Sequence, residues 1–212
     1  MQMADYTLYG HPRSGNAYKT ALMLSLTGTA YDFELVDLMG GGNLGSDYLS
    51  VNPLGKVPSL RHGDLIIRQS HDTMRYLVEQ TGQFGPDGWE EEARIGDWVG
   101  FAVDFFGYGL ARMRFELLFG AGSGPILDYF KPTAERGLGI IEPHLADNEW
   151  LVAGRPTIAD IACYPVASFL PDSGLDPSAY PNLTAWLERF RALPGFGTQI
   201  ELMPAPNWPP AD

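Results

Sequence analysis

The segment from Asn52 to Leu60, Asn-Pro-Leu-Gly-Lys-Val-Pro-Ser-Leu, contains a main-chain feature that could bind a ligand. Pro58 opens an apolar run that otherwise predicts a strand, and proline cannot donate to a β-ladder. Two explanations are open at this point. A cis bond between Val57 and Pro58 in a tight turn would direct the Val57 N–H and C=O away from the sheet and toward a ligand. A trans proline on an edge strand would have no such role.

The histidine and cysteine side chains do not form a recognisable metal-binding or nucleophilic group in the sequence. His11, His62 and His144 have no metal-ligand spacing with one another or with Cys163. Cys163 is the only cysteine, so an internal disulfide is impossible. It falls on a predicted core helix, where a thiol is more often a small buried apolar group than a nucleophile. We therefore expect no metal site.

Composition indicates a globular chain with a sizeable core. The 212 residues are 45% hydrophobic and 19% charged, and no run of about 18 apolar residues is present to cross a membrane. The first five residues have neither the basic nor the apolar region of a secretory signal. These features predict a cytoplasmic protein. The formal net charge of −12 argues against a nucleic-acid partner, which would need basic phosphate contacts.

The negative charge is unevenly distributed along the chain. Residues 1–83 contain 8 acidic and 6 basic side chains, whereas residues 84–212 contain 18 acidic and 8 basic ones. Two interpretations are open. The second part could simply have a solvated acidic helical surface, or the first part could be nearly neutral because it must admit an anion.

Hydrophobic periodicity divides the chain in two. Residues 1–81 predict the order β-α-β-(α)-β-β-α, with a glycine-rich loop around Gly40–Gly45. The Gly and Pro punctuation of residues 82–88 predicts a linker. The predicted strands cover 5–9, 31–36, 57–60 and 65–67, and the predicted helices of this part cover 14–26, 47–51 and 70–80. After the linker, an all-helical domain is expected over 89–203, with helices at 89–118, 126–145, 157–169 and 183–193. Residues 204–212 contain four prolines and predict a non-helical tail.

Several of these segments together resemble the cytosolic glutathione S-transferases, and in particular their serine-type members. The resemblance extends over residues 5–196, and the segments occur in the family's order: Asn52–Leu60, Gln69-Ser70, Tyr76-Leu77, Trp150–Asp160, Tyr180–Leu183 and Trp186-Leu187. It implies a thioredoxin-like first domain, an all-helical second domain, a cis Pro58 and a homodimer. It also implies glutathione as co-substrate, with no permanently bound cofactor.

The resemblance assigns roles in glutathione binding. Gln69 and Ser70 match the pair that receives the γ-glutamyl end, and a plain helix cap is the alternative for Ser70. Val57 would pair its main chain with the cysteinyl unit, next to Pro58. Lys56 would face the glycyl carboxylate, unless it is an ordinary surface lysine. His71 is a weaker candidate.

One stretch departs from the family pattern. Members often have a His or Lys before the Asn-Pro turn, but Gly40–Gly45 contains no cation. Asn43 and main-chain N–H groups could substitute for it.

The resemblance places the thiol activator directly after the first strand. Ser14 matches the serine that donates a hydrogen bond to the glutathione thiolate, and Asn16 matches a neighbouring polar position. A helix N-terminus also favours a thiolate. Capping of the helix is the alternative role of Ser14. Tyr9 is a rival donor, but it precedes the loop.

An electrophile would have to be held against the sulfur by a wall from the second domain. The expected wall residues are Phe105, Phe106, Tyr108 and Arg112, and ordinary core or surface positions are the alternative. The implied reaction is attack of the thiolate on a small hydrophobic electrophile, as in detoxification. A glutathione-dependent disulfide or peroxide reductase and a non-catalytic ligand-binding protein are the other possibilities.

A structural motif opens the helix after Pro156. Thr157 and Asp160 have the spacing of N-cap and N3 in a capping box. Because a buried helix end needs its N–H groups satisfied, we expect this pair to stabilise the fold rather than take part in chemistry.

Overall fold

The computed structural model describes residues 4–120, 122 and 124–206. The chain packs as two compact units. The first consists of Met1–Gln83 together with Pro194–Asp212, and the second of Phe84–Leu193.

The first unit is built on a four-stranded sheet in the order β2-β1-β3-β4. The strands are β1 (Tyr6–Gly10), β2 (Tyr31–Leu35), β3 (Ser59–His62) and β4 (Leu65–Ile67). β1 is parallel to β2 and antiparallel to β3, which is antiparallel to β4. The helices are α1 (Gly15–Leu26), α2 (Ser46–Val51) and α3 (Ser70–Thr81). This βαβαββα order confirms the predicted thioredoxin-like fold.

The main core of this unit combines strand residues such as Leu8 and Leu60 with helix residues such as Leu22 and Leu77, all fully buried. A second, smaller cluster lies beside α2. It consists of Val36, Tyr48 and Val51, with partly buried apolar side chains packed against it from Tyr9, Leu38, Val57 and Ile66.

The third strand starts later than its apolar run predicts. The bond between Val57 and Pro58 is cis, which confirms that expectation, and β3 begins only at Ser59. Because proline has no N–H to offer, the ladder with β1 starts at the Ser59–Tyr9 pair and continues to His62.

The end of the described chain packs in the first unit, whereas we expected residues 194–203 in the helical domain. The Tyr18 hydroxyl donates to the Gly197 carbonyl at 2.9 Å, and the Tyr31 hydroxyl donates to the Leu202 carbonyl at 2.6 Å. These bonds anchor a short helix, α9 (Gln199–Leu202), which periodicity did not predict because it is a single turn. Residues 207–212 of the expected tail lie outside the described residues.

The second unit is helical throughout its regular structure, which confirms the predicted all-helical domain. Its helices are α4 (Trp89–Phe101), α5 (Ala111–Phe119), α6 (Gly124–Asp147), α7 (Ile158–Ala167) and α8 (Pro181–Arg191). The single helix predicted over 89–118 is interrupted by a π-helical segment, Ala102–Leu110. No helix in the described parts of the chain has the length and apolar character that a membrane crossing needs.

The capping box at the start of α7 is formed as predicted. The Asp160 carboxylate accepts from the Thr157 N–H at 2.9 Å, and the Thr157 hydroxyl accepts from the Ala159 N–H at 3.2 Å. Asp160 also accepts from the Leu151 N–H and the Trp186 indole. One fully buried carboxylate therefore connects α7 to α8 and to the loop before α7.

Candidate functional site

Three predicted site segments meet at one edge of the sheet. Ser14 follows the end of β1, Val57 precedes the start of β3, and Gln69 follows the end of β4. Because β3 runs antiparallel to both neighbouring strands, the end of β1, the start of β3 and the end of β4 share this edge. The topology thus brings the predicted site residues of the first unit to one side of that unit.

The turn before Pro58 is fixed by side chains that hold the Lys56 carbonyl. The Asn52 amide donates to it at 2.6 Å, and the Tyr48 hydroxyl donates to it at 2.7 Å. The Asn52 side-chain oxygen also accepts from the Leu54 N–H at 3.0 Å. With the neighbouring carbonyl held in this way, the position of Val57 is set by buried groups.

Val57 offers main-chain groups to a ligand. Within the part of the chain that the structure describes, no hydrogen bond uses its N–H or C=O. Its half-buried side chain packs on the cluster beside α2. The preceding Lys56 side chain is exposed and forms no ion pair with a described residue. An extended anionic peptide could therefore pair with Val57 and approach Lys56.

Ser14 occupies the N-cap position of α1. Its hydroxyl accepts from the Ala17 N–H at 3.2 Å, so the capping role is present. A hydroxyl can accept and donate at once, and no described group accepts from this O–H. Capping and donation to a thiolate are thus compatible at Ser14. Asn16, two residues later, is exposed on the first turn of the same helix.

Gln69 and Ser70 lie at the start of α3. Gln69 is the N-cap residue but makes no side-chain capping bond, and its side chain is exposed. Ser70 is the first helical residue rather than the cap, and no described group is hydrogen-bonded to its hydroxyl. Free main-chain N–H groups at a helix start favour a carboxylate. His71, by contrast, lies 3.5 Å from the Asp72 carboxylate.

Two residues that the sequence analysis did not identify, Thr20 and Thr73, join the middle of α1 to the first turn of α3. The Thr73 hydroxyl is 2.7 Å from the Thr20 hydroxyl, and it donates to the Ser70 carbonyl at 2.8 Å. Both threonines are fully buried. Tyr48 is a third missed residue, since its bond to Lys56 joins positions on separate elements. No local sequence pattern signals such pairings.

The glycine-rich loop is fixed to the same turn. The Asn43 amide donates to the Gly55 carbonyl at 2.8 Å, so its side-chain nitrogen is engaged within the protein. The Gly40 N–H donates to the Asp37 carboxylate at 2.8 Å. Asn43 therefore positions the loop beside Lys56.

Tyr9, the rival thiol donor, points to the side of the sheet occupied by α2. Its ring lies 6.2 Å from the Tyr48 ring, and the Arg61 guanidinium lies 5.2 Å from its centroid. These contacts give Tyr9 a packing role and favour Ser14 as the donor.

The four residues expected to form the electrophile wall differ in their exposure within the second unit. Phe106 is fully buried, which makes it a core residue, and Phe105 is half-buried under the Arg136 guanidinium. Tyr108 and Arg112 are exposed. The Tyr108 hydroxyl is 3.2 Å from that of Tyr129, and this hydrogen bond raises the pKa of Tyr108.

Residues 4–120, 122 and 124–206 contain no group of three or more His, Cys, Asp or Glu side chains arranged to hold a metal ion. Cys163 is buried, and its thiol lies 3.7 Å from the Trp98 carbonyl.

Comparison with known proteins gives matches over both units. The model of the glutathione S-transferase N-terminal domain matches residues 4–79, and that of the C-terminal domain matches residues 103–194. Glutathione S-transferase 3 of Zea mays is 29% identical over 218 residues, which cover 98% of each chain. The disulfide-bond oxidoreductase YfcG of Escherichia coli is 26% identical over 87% of this chain and 90% of that protein. The crystal structure of a possible glutathione S-transferase from Rhodopseudomonas palustris is 30% identical, with a TM-score of 0.83 over 97% of this chain and 99% of that one.

Proposed function

Because the chain belongs to the glutathione S-transferase family, we propose that it binds glutathione at the sheet edge and transfers the glutathione thiolate to a small hydrophobic electrophile. The observation that carries this proposal is the edge itself, where Ser14, Val57 and Ser70 each present hydrogen-bonding groups that no described residue uses. The match of both domain models supports the same conclusion.

The charged groups of glutathione determine how it binds at this edge. The γ-glutamyl carboxylate binds at Ser70, where a hydroxyl and the N–H groups of α3 meet the favourable end of the helix dipole. The ammonium group binds the Gln69 amide oxygen. The cysteinyl main chain pairs with Val57, next to the cis Pro58, and the glycyl carboxylate faces Lys56. His71 contributes less, because Asp72 lies beside it.

Ser14 then donates its O–H to the cysteinyl sulfur, with Asn16 nearby on α1. A thiol with a pKa of about 8.5 is roughly 3% ionised at pH 7. Lowering that pKa by about 2 units raises the thiolate fraction about 25-fold. The less basic thiolate is about 8-fold less nucleophilic, so the net gain at pH 7 is only about threefold.

The pH dependence of the conjugation rate of Ser14→Ala tests whether Ser14 lowers the thiol pKa. At pH 7 the variant should conjugate 1-chloro-2,4-dinitrobenzene about threefold more slowly than the parent, whereas at pH 9 its more basic thiolate should be about sixfold faster. The ratio of the two rates therefore rises about 20-fold across this range. A variant that is equally impaired at both pH values would contradict the assigned role.

Two controls accompany this test. Ser14→Ala also removes a helix cap, at a cost of about 1 kcal/mol, so its melting midpoint is measured in parallel. Ser14→Thr keeps both the hydroxyl and the cap and should retain the pH profile of the parent. Isothermal titration with glutathione then separates weakened binding from altered thiolate chemistry.

The electrophile wall is proposed from the exposed or half-exposed residues of the predicted set, which are Phe105, Tyr108 and Arg112. Replacement of Tyr108 or Arg112 by Ala should raise the KM for the electrophile and leave the KM for glutathione unchanged. Phe106 is fully buried, so its replacement should lower stability first.

Reduction of disulfides or peroxides is a second candidate, favoured by the similarity to the Escherichia coli oxidoreductase. The products separate the two reactions. A conjugate contains a new thioether, whereas reduction yields oxidised glutathione. Binding of glutathione without turnover of either substrate class would indicate a ligand-binding protein.

The family relationship is also the basis for proposing a homodimer that works in the cytoplasm. Light scattering of the full chain tests the dimer through its mass, because one chain is 23.3 kDa. Fractionation of the source cells tests the location.

A further inference from the structure

A cavity of about 360 Å³ lies beside α2, within the first unit. The Tyr9 and Tyr48 rings line it together with Val36 and Val51, and all but Tyr9 are buried. Ser14, Lys56, Gln69 and Ser70 do not line it. Its volume falls in the range of small-molecule sites.

The polar part of the lining is acidic. Glu34, Asp37 and Asp47 contribute to the cavity wall, and each is exposed. Asp37 is partly used, because it accepts from the Gly40 N–H. None of the three forms an ion pair with a Lys or Arg among the described residues. Glutathione has a net negative charge, so these carboxylates repel it from the cavity.

The aromatic part of the lining favours a cation as well. The Tyr9 and Tyr48 rings are 6.2 Å apart and tilted by 50°, so they form a corner rather than a stack. The Arg61 guanidinium lies 5.2 Å from the Tyr9 centroid, so the carboxylates and the Tyr48 ring must supply most of the attraction for a further cation. Aromatic faces combined with carboxylates are the groups that bind alkylammonium ions in proteins.

We propose that this cavity binds a small organic cation with an apolar body, an alkylammonium compound. The apolar part contacts Val36, Val51 and the two tyrosine rings, and the positive charge lies between Glu34 and Asp47.

Choline and its uncharged isostere 3,3-dimethylbutan-1-ol are matched probes, because they differ chiefly in the charge. Calorimetric titration of the full chain without glutathione should give saturable choline binding with one site per chain. The isostere should bind at least about tenfold more weakly, as expected for a unit charge about 6 Å from a carboxylate at a protein surface. Because glutathione is absent, the result does not depend on the proposed transferase activity.

Glu34→Gln and Asp47→Asn should each weaken choline binding about five- to tenfold, since each removes one charge and preserves shape. Glu79→Gln is the control, because this exposed glutamate on α3 does not line the cavity. The melting midpoint of each variant checks its folding, and NMR shift changes in the parent should map to Tyr9, Val36 and Val51.

Three results would overturn the proposal. The first is equal affinity for choline and its isostere. The second is a choline affinity that neither Glu34→Gln nor Asp47→Asn lowers. The third is a set of NMR shift changes confined to the acidic surface of the second unit. If Glu34→Gln and Asp47→Asn fail to fold, the probe comparison and the NMR map on the parent protein decide the question.

Discussion

Asp160→Ala tests how far one buried carboxylate stabilises the second unit. Asp160 is fully buried and accepts hydrogen bonds from the Leu151 N–H, the Thr157 N–H and the Trp186 indole at 3.0, 2.9 and 3.1 Å. The substitution leaves these three buried N–H donors unpaired and also removes the acceptor of the Thr157 hydroxyl, 3.3 Å away. Each costs about 1–3 kcal/mol, and partial entry of water brings the expected total to about 4 kcal/mol. The melting midpoint of a chain of this size should fall by about 10 °C.

Asp172→Ala is the matched control in the same unit. The Asp172 carboxylate pairs with the Arg114 guanidinium at 3.0 Å, but its side chain is 45% exposed. Solvent screens this carboxylate, and Arg114 keeps its contact with the Phe169 ring at 3.9 Å after the substitution. The loss should therefore be about 1 kcal/mol, and this midpoint should fall by no more than about 3 °C. Calorimetric or circular dichroism melting compares the two variants with the parent. Midpoints for the two variants that agree within error would refute the reasoning.

The loss of stability in Asp160→Ala should also depend on pH. Burial raises the pKa of Asp160 from 3.8 to about 6, although its hydrogen bonds oppose that shift. The folded state therefore binds more protons than the unfolded state between pH 4 and 6, so this contribution to stability is present below pH 4 and is lost as the pH rises to 6. A difference of about 2 units corresponds to about 3 kcal/mol. Because the carboxyl of the unfolded chain is already more than half ionised at pH 4, the advantage of the parent over Asp160→Ala in denaturant unfolding should be about 2 kcal/mol larger at pH 4 than at pH 7.

Three further predictions concern other parts of the chain. Gly109→Ala would place a Cβ 2.5 Å from a main-chain nitrogen of α6, so the free energy of unfolding should fall by about 1–3 kcal/mol. The Cβ of Gly96→Ala would meet nothing within 4 Å, so that variant should be more stable than the parent by up to about 1 kcal/mol, and thermal melts of both variants compare them. Tyr48→Phe removes a hydrogen bond to the Lys56 carbonyl, so unfolding and glutathione titrations should show a loss of about 1 kcal/mol in stability and an affinity about fivefold weaker. Burial raises the pKa of Tyr31 to about 12, and an ultraviolet titration of Tyr31→Phe should lose one tyrosine transition near pH 12.

Local patterns were sufficient for the strands and helices between residues 6 and 81, because each of these elements has a local cause. The strands alternate or run apolar, Ser14 caps α1, and Gly28 follows that helix with φ of +69°. The order of these elements then fixes the sheet edge where Ser14, Val57 and Ser70 meet. The capping box at Thr157 is equally local, since both partners lie within one turn.

The features that were missed depend on partners distant in sequence. Thr20 and Thr73 are 53 positions apart and are joined only by the packing of α1 on α3. The π-helical segment 102–110 has no pattern of its own, since its residues are as apolar as those of an ordinary buried helix. Gly109 lies directly against α6, and a Cβ there would come within 2.5 Å of the Ala134 main-chain nitrogen, a contact between positions 25 residues apart that no local pattern reveals.

The site residues of the first unit indicate a type of reaction, but they do not indicate the substrate that glutathione would attack. Stabilising the thiolate at Ser14 accounts for only about a threefold gain at pH 7, because a lower pKa also makes the sulfur a weaker nucleophile. Enzymes of ordinary efficiency need far larger factors, and holding two reactants in contact can supply an effective molarity of about 10⁵ M or more. The larger part of the acceleration must therefore come from the groups that hold the electrophile. Phe105 and Tyr108, which we propose for that role, are aromatic side chains that many electrophiles would contact equally well, so the identity of the substrate depends on the shape of the proposed wall.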